Sequence, residues 1–500
     1  MTGARAPIRA ATHNTSVATR HIVGADVTSE ARLPRKLRPL SGLDAAFLYL
    51  EAAGTPMHVG SVMLLQVPQR RRAGFHERLK RHIRERLPRA AVLRRVLVEA
   101  RFDLDHPAWR EIATVDLDLH IGRRRLAAPG TPAQLWRLVA DLHAEPLPRD
   151  RPLWQFVVVD GLASGEIAFY SKVHHALLDG QGGTALAQAL LDVQARPGAA
   201  AATGSAPSPH SRHRAVAAKT SIGARVGQLA GLVRSLPETL KLAADAVREA
   251  GALLGSLRDA VTLAPHTPFN AQVGPRRSFA VASLPLDAVK RVARYFGTSL
   301  NDVVLALCAG ALREHLLRRG ALPTDALIAA MPISLRAAGD TQANNQVSMV
   351  QCALPTHMTD PVRRLQAIHA ATGQLKSRVA GVRSLIPTDF PGFAAPIWAT
   401  GLSRLWASGH IAERLPQLAN LVVSNVPGPP LPLYLVGAKI NHYYPVSIVT
   451  HGLGLNITVN SYAGWLEFGL IADRAIVARP AGLAAGLGRA LRALGKEVEQ

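Results

Sequence analysis

The sequence predicts an α/β fold in two halves, each a mixed sheet with flanking helices. Short apolar runs of strand length recur along the chain, and segments of helical period lie between them. A length of 500 residues, 48% hydrophobic and 19% charged, is more than one core usually holds, so two domains are expected.

Residues 1–38 are rich in Arg and Ala, poor in acids and aperiodic, which reads as a disordered basic tail. Residues 39–195 form the expected first domain, with strands at Leu119–Gly122, at Trp154–Val159 and along the apolar run Ile167–Val173. Residues 196–265 connect the halves. The stretch 196–220, rich in Ala, Ser, Pro and His, reads as a linker. From Ile222 to Val261 apolar residues recur at spacings of three and four, an amphipathic pattern broken near Pro237 into two helices. A lid or membrane-lying element is one reading of 221–262. A pair of packed helices is the other, favoured because Arg225 and Arg234 mix with Glu238 and Asp245 on the polar face. Residues 266–495 form the expected second domain, with helices at Leu286–Phe296 and after Ser299. Its strands are expected at Leu327–Ile333, Asn420–Val426 and Gly454–Asn460.

Two cysteines, Cys308 and Cys352, exclude a disulfide framework and a CxxC metal site, and Cys308 sits in an apolar helical run as a small core residue. No run of about 18 apolar residues is present and Met1–Arg38 lacks a signal-peptide core, so a cytoplasmic protein is expected. The net charge of +23 is uneven: residues 67–100 carry eleven Lys or Arg, including Arg70, Arg71 and Arg72, against three acids. Such a field suits an anionic membrane or lipid droplet, at about 1 kcal/mol per basic residue, and the alternative is a solvated helix face. Nucleic acid is disfavoured, since no reading module is recognisable and aromatics are 5% of the chain.

The densest chemistry is His174-His175-Ala176-Leu177-Leu178-Asp179-Gly180, directly after Ile167–Val173. An imidazole is the side chain best poised to take a proton from a hydroxyl at neutral pH. Neighbouring residues of a strand point to opposite faces, so only one of the two histidines can be the base. Alternation puts His175 with Ile167, Phe169 and Val173 on the more apolar face and His174 with Ala168, Tyr170 and Lys172. His175 is the candidate proton acceptor. His174, Asp179 and Gly180 support it, Gly180 by letting the backbone bend without a Cβ. The plain alternative is a strand end with two partly exposed histidines and an ordinary Asp-Gly turn.

HHALLDG resembles the HHxxxDG signature of the CoA-dependent acyltransferase superfamily. The chain around it resembles the bacterial wax ester synthase/acyl-CoA:diacylglycerol acyltransferase (WS/DGAT) family. Matching stretches are Pro39–Glu51, Arg151–Trp154, Ser299–Ala306, Pro332–Arg336, Ser424–Pro429, Pro432–Ala438 and Gly469–Arg474, so about 39–495 is covered in the family's order. At one point it departs: Asn344 stands where many members carry glycine, and asparagine tolerates the left-handed turn.

The resemblance implies two chloramphenicol-acetyltransferase-like subdomains around a central tunnel, with His175 at its middle. It implies acyl-CoA as a substrate and no separate cofactor or metal. The acceptor it allows is diacylglycerol, ranked first, or a fatty alcohol. It also sets Pro152, Leu153 and Trp154 near the acyl-binding region and makes Asn301 and Asp302 matter for activity. On the residues themselves, Pro152–Trp154 reads as a packing and turn element before a strand, and Ser299 with Asp302 as a helix cap, leaving Asn301 for a substrate or interdomain contact. Arg336 is a candidate partner of Asp179 across the domains. With no GxSxG elbow and no cysteine in a histidine setting, transfer is expected to be direct. Rival readings are acylation of a polyketide or glycolipid from a carrier, and a catalytically idle lipid-droplet or membrane-binding protein. The intact motif argues against the idle one.

Overall fold

A strand buried on both faces reads as a continuous apolar run. Ile167–Val173 is such a run, and the fold is arranged so that both of its faces are covered. The computed structural model describes residues 37–52, 54–99, 106–178, 180–195, 262–334, 347–382 and 417–499. The tail to residue 36, the helices expected within 221–261, Asp179, Arg336 and Asn344 lie outside them.

The first part runs β1 (Arg38–Pro39), α1 (Gly42–Leu50), β2 (His58–Gln66), α2 (Phe75–Arg86), β3 (Arg95–Val98), β4 (Ala108–Glu111) and β5 (Ile121–Arg125). It continues with α3 (Pro132–Ala144), β6 (Trp154–Asp160), β7 (Ile167–His174) and α4 (Gly180–Leu190). Then come β8 (Arg277–Pro285), α5 (Leu286–Tyr295), α6 (Leu300–Leu317), β9 (Leu327–Ser334), β10 (Val347–Leu354) and α7 (Pro361–Val382). The chain closes with β11 (Leu421–Val426), β12 (Tyr434–Leu435), β13 (Ala438–Val446), β14 (Leu455–Tyr462), β15 (Trp465–Asp473) and α8 (Ala481–Glu499).

Local chemistry sets several boundaries. Ser41 caps α1 by accepting the Asp44 N–H at 3.1 Å. Thr131 and Gln134 form a capping box at α3, with Pro132 in the first turn. Ser299 and Asp302 form another at α6, as their spacing predicts. Phe75, Leu79 and Ile83 recur every fourth residue of α2 and are its buried face.

Two six-stranded sheets dominate, β12-β13-β2-β7-β6-β5 and β10-β9-β11-β14-β15-β8, with a small sheet β1-β4-β3 beside them. The α/β class and the two sheet-containing halves agree with the sequence reading. Arg38, assigned from sequence to the end of the tail, pairs with Trp109 in the small sheet.

The halves are also less separate in sequence than 39–195 and 266–495 suggest. Strands β12 and β13, from the later half, belong to the sheet of β7, and β13 pairs antiparallel with β2. Covering the edge of β2 in this way removes an exposed row of backbone donors and acceptors. A strand's own pattern does not say which sheet it joins, which is why the sequence missed the exchange. Where the sheets approach, Gly469 on β15 leaves room for β13: a Cβ there would lie 1.8 Å from the Pro445 carbonyl oxygen.

One apolar cluster joins the sheets through Val62, Val157, Val159, Ala168 and Tyr170 on the first and Leu455, Ile457 and Phe468 on the second. The other lies beyond the first sheet, where Ile167, Phe169 and Val173 meet Leu48 of α1 and Leu79 and Ile83 of α2. Successive residues of β7 therefore enter different cores, and the histidine pair inherits that division.

Candidate active site

Strand β7 ends at His174, and a turn begins at once: Leu177 N–H donates to the His174 carbonyl at 3.0 Å and Leu178 N–H to that of His175 at 3.3 Å. Both histidines are held by their backbones. The His174 N–H donates to the Leu153 carbonyl at 2.9 Å and the His175 N–H to the Met57 carbonyl at 2.8 Å. The side chains then diverge. His175 is half-buried and its ring stacks on Phe47 of α1, centroids 4.0 Å apart and planes 14° from parallel. It thus lies on the side of Ile167, Phe169 and Val173, as the alternation predicts.

His174 is 1% exposed, which removes the reading of two partly exposed histidines at a strand end. The Ala176 N–H donates to its Nδ1 at 3.1 Å, so the ring proton sits on Nε2, 3.3 Å from Glu51 Oε1. Glu51 caps the C-terminal end of α1 and collects further donors: the Met57 N–H at 3.1 Å and Arg149 Nη2 at 3.1 Å. Burial alone would raise this carboxyl, but hydrogen bonding from His174, with Met57 and Arg149, holds it down at about 2. Glu51 Oε1 therefore faces the His174 ring and, through Met57, holds the segment that seats His175. The sequence reading quoted Glu51 at the end of a matching stretch but gave it no role.

Behind His174 lies a second unanticipated feature, a row of buried imidazoles. His58 stands opposite His174 across β2 and β7, and its ring centroid is 6.5 Å from that of His174 and 5.5 Å from that of His143. Burial, with the nearby charge of Lys172, puts His58 well below the usual histidine range. His143 Nε2 donates to the Ser447 carbonyl at 2.9 Å, so its Nδ1 accepts from Tyr170 Oη at 2.8 Å; burial and the Lys172 charge push it down to about 3. Lys172 is buried too, and its ammonium donates to the carbonyls of Leu142 and Glu145 at 2.7 and 2.8 Å. These neutral rings and the anchored lysine are a polar wall behind the motif. They tie β7 to α3.

Pro152, Leu153 and Trp154 form the packing and turn element expected at the start of β6. All three are buried; Trp154 Nε1 donates to the Leu93 carbonyl at 2.8 Å and its ring stacks on His120 at 4.2 Å. Through the Leu153 carbonyl this element also supports His174. Gly180, the last residue of the motif, opens α4.

Asn301 and Asp302 belong to the other sheet's half. The fully buried Asp302 accepts from the Ser299 N–H at 2.9 Å, His369 Nδ1 at 2.8 Å and Thr372 Oγ1 at 2.7 Å. Burial would raise its carboxyl, yet those bonds hold it below the ordinary aspartate value. Its structural role is thereby accounted for. Asn301 Oδ1 accepts from Asn425 Nδ2 at 3.2 Å, a tie between α6 and the end of β11 within one half of the protein. Cys308 is fully buried, and burial pushes its thiol up to about 12, which suits a core residue and not a nucleophile. Among the described residues no three His, Cys, Asp or Glu side chains converge as a metal site requires, and no single helix is long and apolar enough to cross a membrane.

A two-sheet fold carrying a seated histidine at the end of a central strand defines the class of HHxxxDG acyltransferases. Residues 40–304 match the wax ester synthase/diacylglycerol acyltransferase catalytic domain, and residues 343–495 match the WS/DGAT C-terminal domain. A Mycobacterium tuberculosis protein named as a diacylglycerol O-acyltransferase is 38% identical over 442 residues, 87% of this chain and 94% of that one. A second from the same organism is 36% identical over 462 residues, covering 91% and 98%. The solved wax ester synthase/diacylglycerol acyltransferase of Marinobacter aquaeolei VT8 superposes with a TM-score of 0.67 at 28% identity, over 92% of this chain and 100% of that one. The first condensation domain of the calcium-dependent antibiotic synthetase shares the fold, with a TM-score of 0.54 at 17% identity, over 93% and 97%. The chain belongs to the WS/DGAT family.

Proposed function

We propose that this protein transfers a long-chain fatty acyl group from acyl-CoA to the free hydroxyl of diacylglycerol, forming triacylglycerol, with His175 as general base. The observation that carries the choice of residue is the contrast within the pair. His174 is 1% exposed, whereas His175 is half-buried on a fixed backbone seat with its ring on Phe47. Family membership supports acyl-CoA as donor and diacylglycerol as acceptor.

In this mechanism His175 takes the hydroxyl proton as the oxygen attacks the thioester carbonyl carbon. The tetrahedral intermediate collapses with loss of the C–S bond, and the imidazolium returns its proton to the departing CoA thiolate. The products are the ester and CoA. Such acid–base catalysis contributes roughly 10²- to 10⁴-fold, and the stacking of His175 on Phe47 narrows the orientations open to the ring. A tunnel between the sheets that leads both substrates to His175 is part of the proposal, as is a role for Pro152–Trp154 near the acyl chain.

The exposed arginines Arg70, Arg71, Arg72, Arg81, Arg84 and Arg89 support peripheral contact with an anionic membrane or lipid droplet on the cytoplasmic side. Part of the basic excess is already spent within the protein, because Lys80, Arg86 and Arg94 pair with Asp118, Asp192 and Glu111. Flotation with phosphatidylglycerol vesicles tests this contact, which predicts binding that weakens with salt. Incubating the purified chain with labelled palmitoyl-CoA and either diacylglycerol or hexadecanol tests the reaction. Labelled triacylglycerol is expected in excess over wax ester. A predominance of wax ester would reassign the acceptor, and the absence of both would overturn the proposal.

A further inference from the structure

Helix α6 carries Asn301 near its start and a cluster of basic residues at its other end. Between Asn301 and Arg318 the helix rises about 25 Å, so the two ends serve different surroundings. At the basic end lies a cavity of about 280 Å³ lined by His315, Arg318, Arg319, Ala478, Arg479 and Gly482. Three guanidinium groups and one imidazole thus line a space that no carboxylate lines.

Each side of this cavity has donors to spare. At the start of α8 the Ala484 N–H donates to the Pro480 carbonyl at 2.9 Å, so the N–H groups of Ala481, Gly482 and Leu483 precede the helix's own bonding. Arg318 Nη2 reaches the first turn of α8, 3.7 Å from where a Cβ on Gly482 would stand. Arg318 is held from behind by Glu314, which also binds Arg489 through a contact of 2.7 Å. Arg319 is braced by its Nη1 bond to the Ile476 carbonyl at 2.8 Å, and Arg479 stands exposed at the rim.

The independent sign of a missing ligand is His315. It is 7% exposed and stacks on Phe269 at 6.1 Å, yet its buried Nε2 has no hydrogen-bond partner among the described residues. A buried polar nitrogen left unpaired costs free energy, and one that lines a cavity can recover it from a bound group. Burial, with the charges of Arg319 and Arg318, pushes His315 down to about 4, so at neutral pH the ring is an uncharged donor or acceptor.

We propose that this cavity, between the C-terminal end of α6 and the first turn of α8, is a binding site for a phosphate group. Guanidinium forks match the geometry of phosphate oxygens, and a helix N-terminus adds N–H donors and a favourable dipole. The phosphate is that of a free anion, a nucleotide or a lipid headgroup.

The site is tested on the full chain by titration and thermal shift at fixed ionic strength. The probes are inorganic phosphate against chloride, adenosine 3′,5′-bisphosphate, and phosphatidylcholine vesicles with or without phosphatidic acid. Arg479→Gln, at an exposed position, should leave the unliganded Tm unchanged and weaken phosphate binding about tenfold or more, with Arg479→Lys intermediate because it keeps charge but loses the fork. The source is whichever probe binds most tightly in the wild type and loses most in Arg479→Gln. The proposal is overturned if phosphate has no effect beyond chloride, or if Arg479→Gln binds all three probes as tightly as the wild type. No arm reads acyl transfer, so failure here leaves the assignment of His175 untouched.

Discussion

Replacing Glu51 with Gln separates a positioning role from an incidental ion pair. The change keeps an amide oxygen for the Met57 N–H but removes the negative charge that faces His174 and Arg149. The carboxyl falls from 4.5 to about 2 in the folded protein, which at 1.36 kcal/mol per unit corresponds to about 3 kcal/mol. Because the folded value is the lower one, that stability is present above pH 4.5 and is lost as pH falls through about 2. Tm measured from pH 7 down to pH 2 should show Glu51→Gln well below the wild type at neutral pH and converging with it in acid. Activity should change in a matching way: kcat falls by about tenfold to a hundredfold with KM little altered, since Glu51 seats His175 through Met57 without being a group that reacts. A pH-independent stability deficit together with an unchanged kcat would refute the reasoning.

Three further substitutions probe the scaffold. Asp302→Ala removes the α6 cap and the tie to His369 and Thr372, and should cost about 2–4 kcal/mol at pH 7 by urea unfolding. Its carboxyl is held below the ordinary value, so the deficit should narrow as pH falls below 3.8. Trp154→Phe strands the Leu93 carbonyl and should cost about 1–3 kcal/mol in the same assay, and the proposed place of Pro152–Trp154 near the acyl chain predicts a raised KM for acyl-CoA. Gly469→Val would set a side chain against the Pro445 carbonyl, where even a Cβ comes within 1.8 Å, and should abolish soluble, cooperatively unfolding protein.

How much of this could be read in advance depended on whether the cause was local. The run before His174, the cap at Ser299 and the strands at Leu327 and Asn420 are local patterns, and each appears where the sequence puts it. The divergence of the two histidine side chains was also legible, because strand alternation decides which core each residue of β7 enters. Glu51 was not, since its significance comes from tertiary contact with His174 and Arg149, and a glutamate at a helix end has many uses. Nothing local marks Lys172 and His58, polar positions in strands, as buried, yet both are. The exchange of β13 into the first sheet was invisible for a similar reason: pairing with β2 is a property of the assembled fold. Asn301, left by its place beside a cap for a substrate or interdomain contact, accepts from Asn425 within one half, a partner that only the assembled fold supplies.

The most direct measurement is kcat for His175→Ala, purified as the full chain, with palmitoyl-CoA and diacylglycerol. His175 is half-buried and its backbone N–H keeps its bond to Met57, so the variant should stay folded, with a Tm within a few degrees of the wild type. If His175 is the base, kcat falls roughly 10²- to 10⁴-fold. Full triacylglycerol synthesis by the folded His175→Ala protein would contradict that assignment.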